Sequence, residues 1–400
     1  MSSSEVRGPS DRKTATGAGS PGKRIPLAEP TIGGNAARYL AECLETNYVS
    51  SVGPFVERFE REFAAFVGTR HAVACASGTA ALHLAFHTLD IGPGDEVLVP
   101  SLTFVASANP IRYLGGIPVL VDSEASTLDI DPGLVVDELD RRARLGRRQP
   151  AAIEVVHLVG QPATIGPILA AAERHGVPVV EDASEALGAS WQDRDDGRQV
   201  GSAGRIGCFS FNGNKLITTG GGGMLVTDDA ALAQRARHLS TQARLSGRAY
   251  DHDEVGYNYR LSNLAAALGV AQLEQLPDLL AGRRRVAAAY DAALARIAGI
   301  LPARRPEGTD PSFWLYTAHL AADGAPRDRV LDVLGAAGID ARPIWTPLHR
   351  MTLYADAPRL GGDVAESIFR NAVSLPSSSS LTASDQERVI EALERALRTG

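Results

Sequence analysis

A primary amine able to attack a carbonyl is scarce in this chain. Its 400 residues carry three lysines, Lys13, Lys23 and Lys215, against 37 arginines. Lys13 and Lys23 fall in a Gly/Ser-rich N-terminal stretch, which leaves Lys215 as the one lysine of the expected folded body. Arginine keeps its proton in a protein, whereas a buried lysine can shed it and form an imine. A biased coding composition accounts for few lysines but not for the one that remains. Around it, IGCFSFNGNKLITTGGGGMLVT at 206–227 sets Lys215 between two apolar strand candidates and ahead of four glycines, Gly220 to Gly223. A glycine run lets the backbone approach a ligand closely. The alternative, a hairpin tip with a solvated lysine, fits the apolar flanks less well.

Two further constellations have chemistry of their own. In ACASGTAALHLAF, 74–86, a strand ends at Ser77-Gly78-Thr79 and a helix starts at once. Free N–H groups, the helix dipole and two hydroxyls make that junction a phosphate site, although Ser and Thr also serve simply as N-caps. In VPVVEDASEALGA, 177–189, Asp182 follows a short apolar run and falls at the carboxyl end of a buried strand. Ligands of open α/β sheets bind at that end, and a carboxylate there can keep a ring nitrogen protonated. The plainer reading of Asp182 is a cap for the next helix. Ser210 precedes Lys215 by five residues. A phosphate cradle, an acid for a ring nitrogen and an imine-forming lysine are what a pyridoxal phosphate enzyme requires of its protein.

The elements that must hold these groups alternate between helix and strand, which predicts an α/β fold with a largely parallel sheet. Phe55, Phe59, Phe63 and Phe66 recur at helical spacing and Gly68 supplies a stop, so this stripe is core. Strands are expected at 71–75, 96–99, 117–121, 152–157 and 178–181, with helices between at 79–89, 104–113, 133–145 and 166–175. After about residue 270 the pattern changes. Helices at 279–298 and 327–337, a short strand from Asp340 to Ile344 and a last helix capped by Ser384 and Glu387 predict a smaller α+β domain. The division is an extension at 1–24 without order, a large domain at 25–275 and a small one at 276–400. Arg283, Arg284 and Arg285 are read as a solvated helix face.

Charge and composition exclude other classes. A net charge of −7 disfavours a nucleic-acid surface, and no run is apolar and long enough to cross a bilayer. Cys43, Cys75 and Cys208 have neither metal nor disulfide spacing, which fits a reducing cytoplasm and no metal site.

Over about residues 25–400 the chain resembles the DegT/DnrJ/EryC1/StrS family of pyridoxal-phosphate-dependent sugar aminotransferases. The motifs that carry the likeness are SGTAAL at 77–82, PSLTFVASANP at 100–110, EDASEALGA at 181–189, FSFNGNKLITTGGGGM at 209–224 and GYNYRLSNLAAALGVAQLEQL at 256–276. The resemblance implies fold type I, the aspartate-aminotransferase-like architecture: a large, mixed, mostly parallel sheet domain with a smaller C-terminal α+β domain. It implies pyridoxal 5'-phosphate as cofactor, L-glutamate as amino donor and a keto sugar as acceptor, in particular a nucleotide-linked 4-keto-6-deoxyhexose. A keto-cyclitol acceptor is the nearest alternative. A deoxysugar dehydratase would have histidine in place of Lys215, and a non-catalytic sensor would not need the intact constellation.

Residue by residue, the likeness implies that Lys215 forms the imine with the cofactor and then shuttles a proton, and that Asp182 holds the pyridine nitrogen. Gly78, Thr79, Ala80 and Ser210 would bind the phosphate, and Phe104 would stack on the ring. Asn258 would reach the phosphate of a neighbouring subunit, implying a homodimer with a shared active site. Tyr48, Ser50, Ser51 and His349 would lie on the substrate side, His349 with the alternative of a purely structural loop histidine. Trp314 and Tyr316 face either the nucleotide or the core. Two departures stand out. Glu185 occupies a position where many relatives place Gln or His against the cofactor's phenolic oxygen, creating a like-charge contact that must be compensated. Gly221 and Gly222 occupy a run where relatives often have Glu.

Overall fold

The computed structural model describes residues 23–192, 199–321 and 325–398. The N-terminal extension expected at 1–24 therefore lies outside the described residues apart from Lys23 and Arg24.

Fourteen strands occur among the described residues. They are β1 (His71–Cys75), β2 (Glu96–Pro100), β3 (Ile117–Val121), β4 (Ala152–Val156), β5 (Val179–Asp182), β6 (Ser190–Trp191), β7 (Ile206–Ser210), β8 (Gly223–Thr227), β9 (Ile300–Leu301), β10 (Thr309–Asp310), β11 (Tyr316–Leu320), β12 (Arg342–Pro343), β13 (Arg359–Leu360) and β14 (Ala372–Leu375). Eight form the main sheet in the order β1-β8-β7-β5-β4-β2-β3-β13. Its pairings are parallel except those of β8 with β1 and β7. The carboxyl ends of β1, β2, β4, β5 and β7 thus open on one edge. β4, β5 and β7 are buried nearly end to end, as strands covered on both faces must be.

Helices cover both faces. Pro54–Val67 buries Phe59 and Phe63 against Phe209 and Phe211, and Phe55 against Tyr39, and ends on Gly68 at φ 86°, where only glycine is unstrained. Gly78–Thr88 packs on β7 and β8 from the other side. Glycines let that helix start close to the sheet. A Cβ on Gly223 would sit 2.4 Å from the Ser77 carbonyl oxygen, and one on Gly78 would sit 2.7 Å from Ser210 Cβ.

The antiparallel sheet β12-β14-β11-β9 and the helices Leu276–Leu294, Arg327–Ala336 and Ala383–Arg398 enclose a separate core. Two parts of the expected division cross over. Ile25 packs in this second core and exchanges backbone hydrogen bonds with Gly338 and Asp340, while β13, late in the chain, adds to the main sheet beside β3. The last helix also differs from the expected capping box. It begins at Ala383, and Thr382, not Ser384, accepts the Asp385 N–H at 3.1 Å.

Inside β4, Glu154 is fully buried and neither carboxyl oxygen has a hydrogen-bond partner among the described residues. Burial, reinforced by the Asp182 charge, raises its pKa well above the ordinary value, so the folded protein holds it neutral. The unfolded chain releases that proton near pH 4.5 and the folded chain keeps it, so Glu154 costs stability increasingly as pH climbs above that value. Glu154→Gln preserves the shape without the acid. Its melting temperature should gain a few degrees on wild type between about pH 5 and about pH 8. A difference that does not grow with pH would contradict a neutral Glu154.

Candidate active site

At the common edge of the strands lies a cavity of about 220 Å³. Ser77, Gly78 and Thr79 reach it from the end of β1, Thr103, Phe104 and Ser107 from beyond β2, and Asp182 and Glu185 from the end of β5. Ser210 and Lys215 follow β7, Gly221 and Gly222 precede β8, and Trp314 and Trp345 come from the C-terminal part of the chain.

Each polar group is aimed by its neighbours. Ser77 caps the helix Gly78–Thr88 by accepting the Ala80 N–H at 3.0 Å, which leaves the first N–H groups of Gly78 and Thr79 turned to the cavity. Ala80 itself does not line it, because its N–H is already spent on Ser77. Asp182 accepts from Ser107 Oγ at 2.9 Å and from the Ser184 N–H at 3.0 Å, and Ser107 is in turn paired with Thr103. These bonds fix the carboxylate with one edge toward the cavity.

The adjacent acid does other work. Glu181 is fully buried, accepts a hydrogen bond from His157 Nε2–H at 3.0 Å and accepts the N–H groups of Gly201, Ala203 and Gly204. Burial alone would raise its pKa, but His157 and the Gly204 and Gly201 N–H groups outweigh that and hold it below the usual range. Alternation along β5 therefore gives one carboxylate to the cavity and one to the 201–204 loop.

Lys215 Nζ lies 3.6 Å from Glu185 Oε1 and 3.7 Å from the centre of the Trp314 ring. Burial depresses the lysine's pKa, opposed by the Glu185 and Asp182 charges. Glu185 is raised by burial and drawn back by Lys215 and by the Val159 N–H, which it accepts at 2.8 Å. The Glu185 carboxylate thus has a cationic partner in the lysine. Phe104 lines the mouth with its ring half exposed, centred 5.0 Å from Trp345.

The remaining candidates lie elsewhere. Asn258 is exposed and outside this cavity, bridged through its backbone to Thr241. Tyr48 and Ser51 also lie outside it, on a loop whose Tyr48 and Ser50 carbonyls are tied to Asn263. His349 has both ring nitrogens occupied, by Ser101 at 2.6 Å and Glu366 at 3.1 Å, and does not reach the cavity. The geometry matches the structural alternative for this residue. Tyr316 is core, its hydroxyl donating to Asp291 at 2.6 Å. The expected solvated face of the arginine trio fails at one position: Arg283 is 2% exposed, whereas Arg284, paired with Asp310, is partly exposed and Arg285, donating to the Ser379 carbonyl, is exposed. Ser107 and Thr103 were missed by sequence reasoning. The signal was in PSLTFVASANP, where a helix starts beyond a strand on the same sheet edge.

The residues fit pyridoxal phosphate on their own chemistry: a depressed amine, a carboxylate held by two donors, and free N–H groups at a helix N-terminus in a cavity too tight for a Cβ at Gly78. The fold and site define a pyridoxal-phosphate-dependent aminotransferase of fold type I. The chain belongs to the DegT/DnrJ/EryC1/StrS aminotransferase family, whose model matches residues 30–394. It is 42% identical to GDP-perosamine synthase of Caulobacter vibrioides, over 94% of this chain and 98% of that one. It is 38% identical to L-glutamine:2-deoxy-scyllo-inosose aminotransferase of Streptoalloteichus tenebrarius, over 76% and 72% of the two chains. Among solved structures, DesV of S. venezuelae in complex with a ketimine intermediate superposes with a TM-score of 0.81 at 35% identity, covering 92% of this chain and 98% of that one.

Glu185→Gln removes the charge but keeps an acceptor for the Val159 N–H. It should retain cofactor within about threefold of the wild-type affinity, measured by cofactor absorbance under equilibrium titration; a loss of about tenfold or more would contradict this reading of Glu185.

Proposed function

We propose that this enzyme transfers the amino group of L-glutamate to the keto group of a nucleotide-linked sugar, specifically a 4-keto-6-deoxyhexose. The observation that carries the substrate class is the 42% identity, over nearly the whole of both chains, to an enzyme named GDP-perosamine synthase. The keto-cyclitol reading keeps one support, the 38% likeness to an inosose aminotransferase over a smaller share of both chains.

The cofactor supplies a carbonyl that captures amines and a ring that accepts the electron pair of a broken C–H bond. The protein's part follows from the geometry. Gly78 and Thr79 N–H groups, with the Ser210 hydroxyl, bind the phosphate at the positive end of a helix. Asp182, held by Ser107 and Ser184, keeps the ring nitrogen protonated. Lys215 provides the amine and moves the proton, and burial, which lowers its pKa against the pull of Glu185 and Asp182, eases its loss of the proton. Phe104 would cover the ring, and Glu185 would stand on the side of its phenolic oxygen.

Asn258, Tyr48 and Ser51 act across a homodimer interface in this reading. Their segments also expose Tyr48, Val49, Val52, Tyr250 and Val255, apolar side chains whose cover a second copy of the chain would supply. The three unpaired, buried cysteines fit a cytoplasmic enzyme, and no helix of the described residues is long and apolar enough to cross a membrane.

Donor and acceptor use one site in turn, so initial rates at varied glutamate and keto sugar should give parallel double-reciprocal lines. Lys215→Ala should lose at least about 10³-fold in turnover, since it removes the base and the amine together. Intersecting lines, or a Lys215→Ala variant of near-normal rate, would contradict the assignment.

A further inference from the structure

Trp314 is held more firmly than packing requires. Its carbonyl accepts from Arg283 Nη1 at 2.7 Å, and its indole N–H donates to the Asn214 carbonyl at 2.7 Å, one residue before Lys215. The backbone beside it is strained. Phe313 has φ 51° and Val159, opposite, has φ 52°, both in the left-handed region that large side chains avoid. Ser312 N–H bonds to the Gly160 carbonyl and Leu315 N–H to the Val159 carbonyl, locking the two segments together. Gly160, at φ 94°, allows the contact, because a Cβ there would lie 2.7 Å from the Trp314 nitrogen.

Arg283 is the costliest part. Its guanidinium is 2% exposed, has no carboxylate partner among the described residues, and leaves Nε without an acceptor. Burial drives its pKa down to about 10. A buried cation without a counter-ion is strongly disfavoured. Here it is spent on the carbonyl of the residue whose ring lies against the lysine amine. Strain and desolvated charge of this kind gather where function demands a fixed geometry.

We propose that Trp314 is a catalytic residue whose ring face, with the Glu185 carboxylate, forms the seat of the Lys215 ammonium, and that Arg283 is the positioning residue that fixes the seat. In the transfer Lys215 would take one proton from the α-carbon of the donor and pass it to the carbon of the cofactor that had been its carbonyl, so Nζ would alternate between neutral and +1. A desolvated ammonium needs stabilisation that does not capture its proton. The indole face attracts the cation without accepting a strong hydrogen bond, and Glu185 at 3.6 Å adds a long, loose ion pair. The charged groups acting on Lys215 are Glu185 and Asp182, both carboxylates on the segment at the end of β5. The seat therefore sets how readily the lysine holds and releases the proton.

The low lysine count makes this measurable. Full-length protein with ¹³C- and ¹⁵N-labelled lysine, loaded with pyridoxamine phosphate so that Lys215 is free, gives three lysine signals, and Lys13→Arg and Lys23→Arg assign the other two. In Trp314→Leu the Lys215 titration midpoint should fall by about 0.5 to 1.5 pH units, with a smaller fall in the better-packed Trp314→Phe. Arg283→Met should lower it in the same direction, and Arg283→Lys, which can still donate to the carbonyl, should restore it in part. A midpoint that stays or rises in both Trp314 variants would overturn the seat, leaving Trp314 only to exclude water. An unchanged midpoint in Arg283→Met would overturn the positioning role. The inference rests on Lys215 carrying the cofactor, and it is read on the lysine itself, so failure to aminate any particular sugar leaves it intact.

Discussion

The structure depends on one constraint: a single amine must be poor in water, near negative charge and free to move. Water would keep Lys215 an ammonium, and a tight salt bridge would hold it in place. Burial lowers its proton affinity, while Glu185 at 3.6 Å and Asp182 limit how far it falls. An aromatic face completes the surroundings without adding a competing base. The acid at Glu185 and the amine at Lys215 moderate each other, and neither would be tolerable alone in so buried a place.

Most of what surrounds the amine comes from the edge where the strand carboxyl ends meet. Parallel strands deliver Asp182, Ser210 and the Ser77-Gly78-Thr79 turn to that edge, and the reversed β8 returns the glycine run beside them. Gly223 and Gly78 keep the helix N-terminus close enough to the sheet for its N–H groups to face the cavity. The C-terminal part of the chain closes the site with Trp314 and Trp345, and the long helix Leu276–Leu294 reaches the first of these through Arg283. The second core is thereby coupled to the amine by a hydrogen bond as well as by packing.

Much of this was legible in the residues. Strands at 71–75 and 117–121, the phenylalanine helix ending on Gly68 and the rarity of lysine follow from local periodicity, turn chemistry and composition, which need no tertiary knowledge. What was hidden depends on long-range contact. Three successive arginines on an Ala-rich helix look solvated, yet Arg283 turns inward to a carbonyl 31 residues away. His349 sits in a loop that reads as functional, but Ser101 and Glu366 take both its nitrogens. Ile25 reads as the start of the large domain and packs in the second core, because its backbone partners lie at 338 and 340. Thr382 outcompetes Ser384 as a cap since both fit the same short-range pattern and only the helix's true start decides.

The most direct test of the central claim is borohydride reduction of the protein loaded with pyridoxal phosphate, followed by peptide mass spectrometry. The reduced cofactor should appear on one residue, Lys215, with Lys13 and Lys23 unmodified at stoichiometric cofactor. Cofactor fixed at either of those lysines, or none fixed at Lys215, would contradict it.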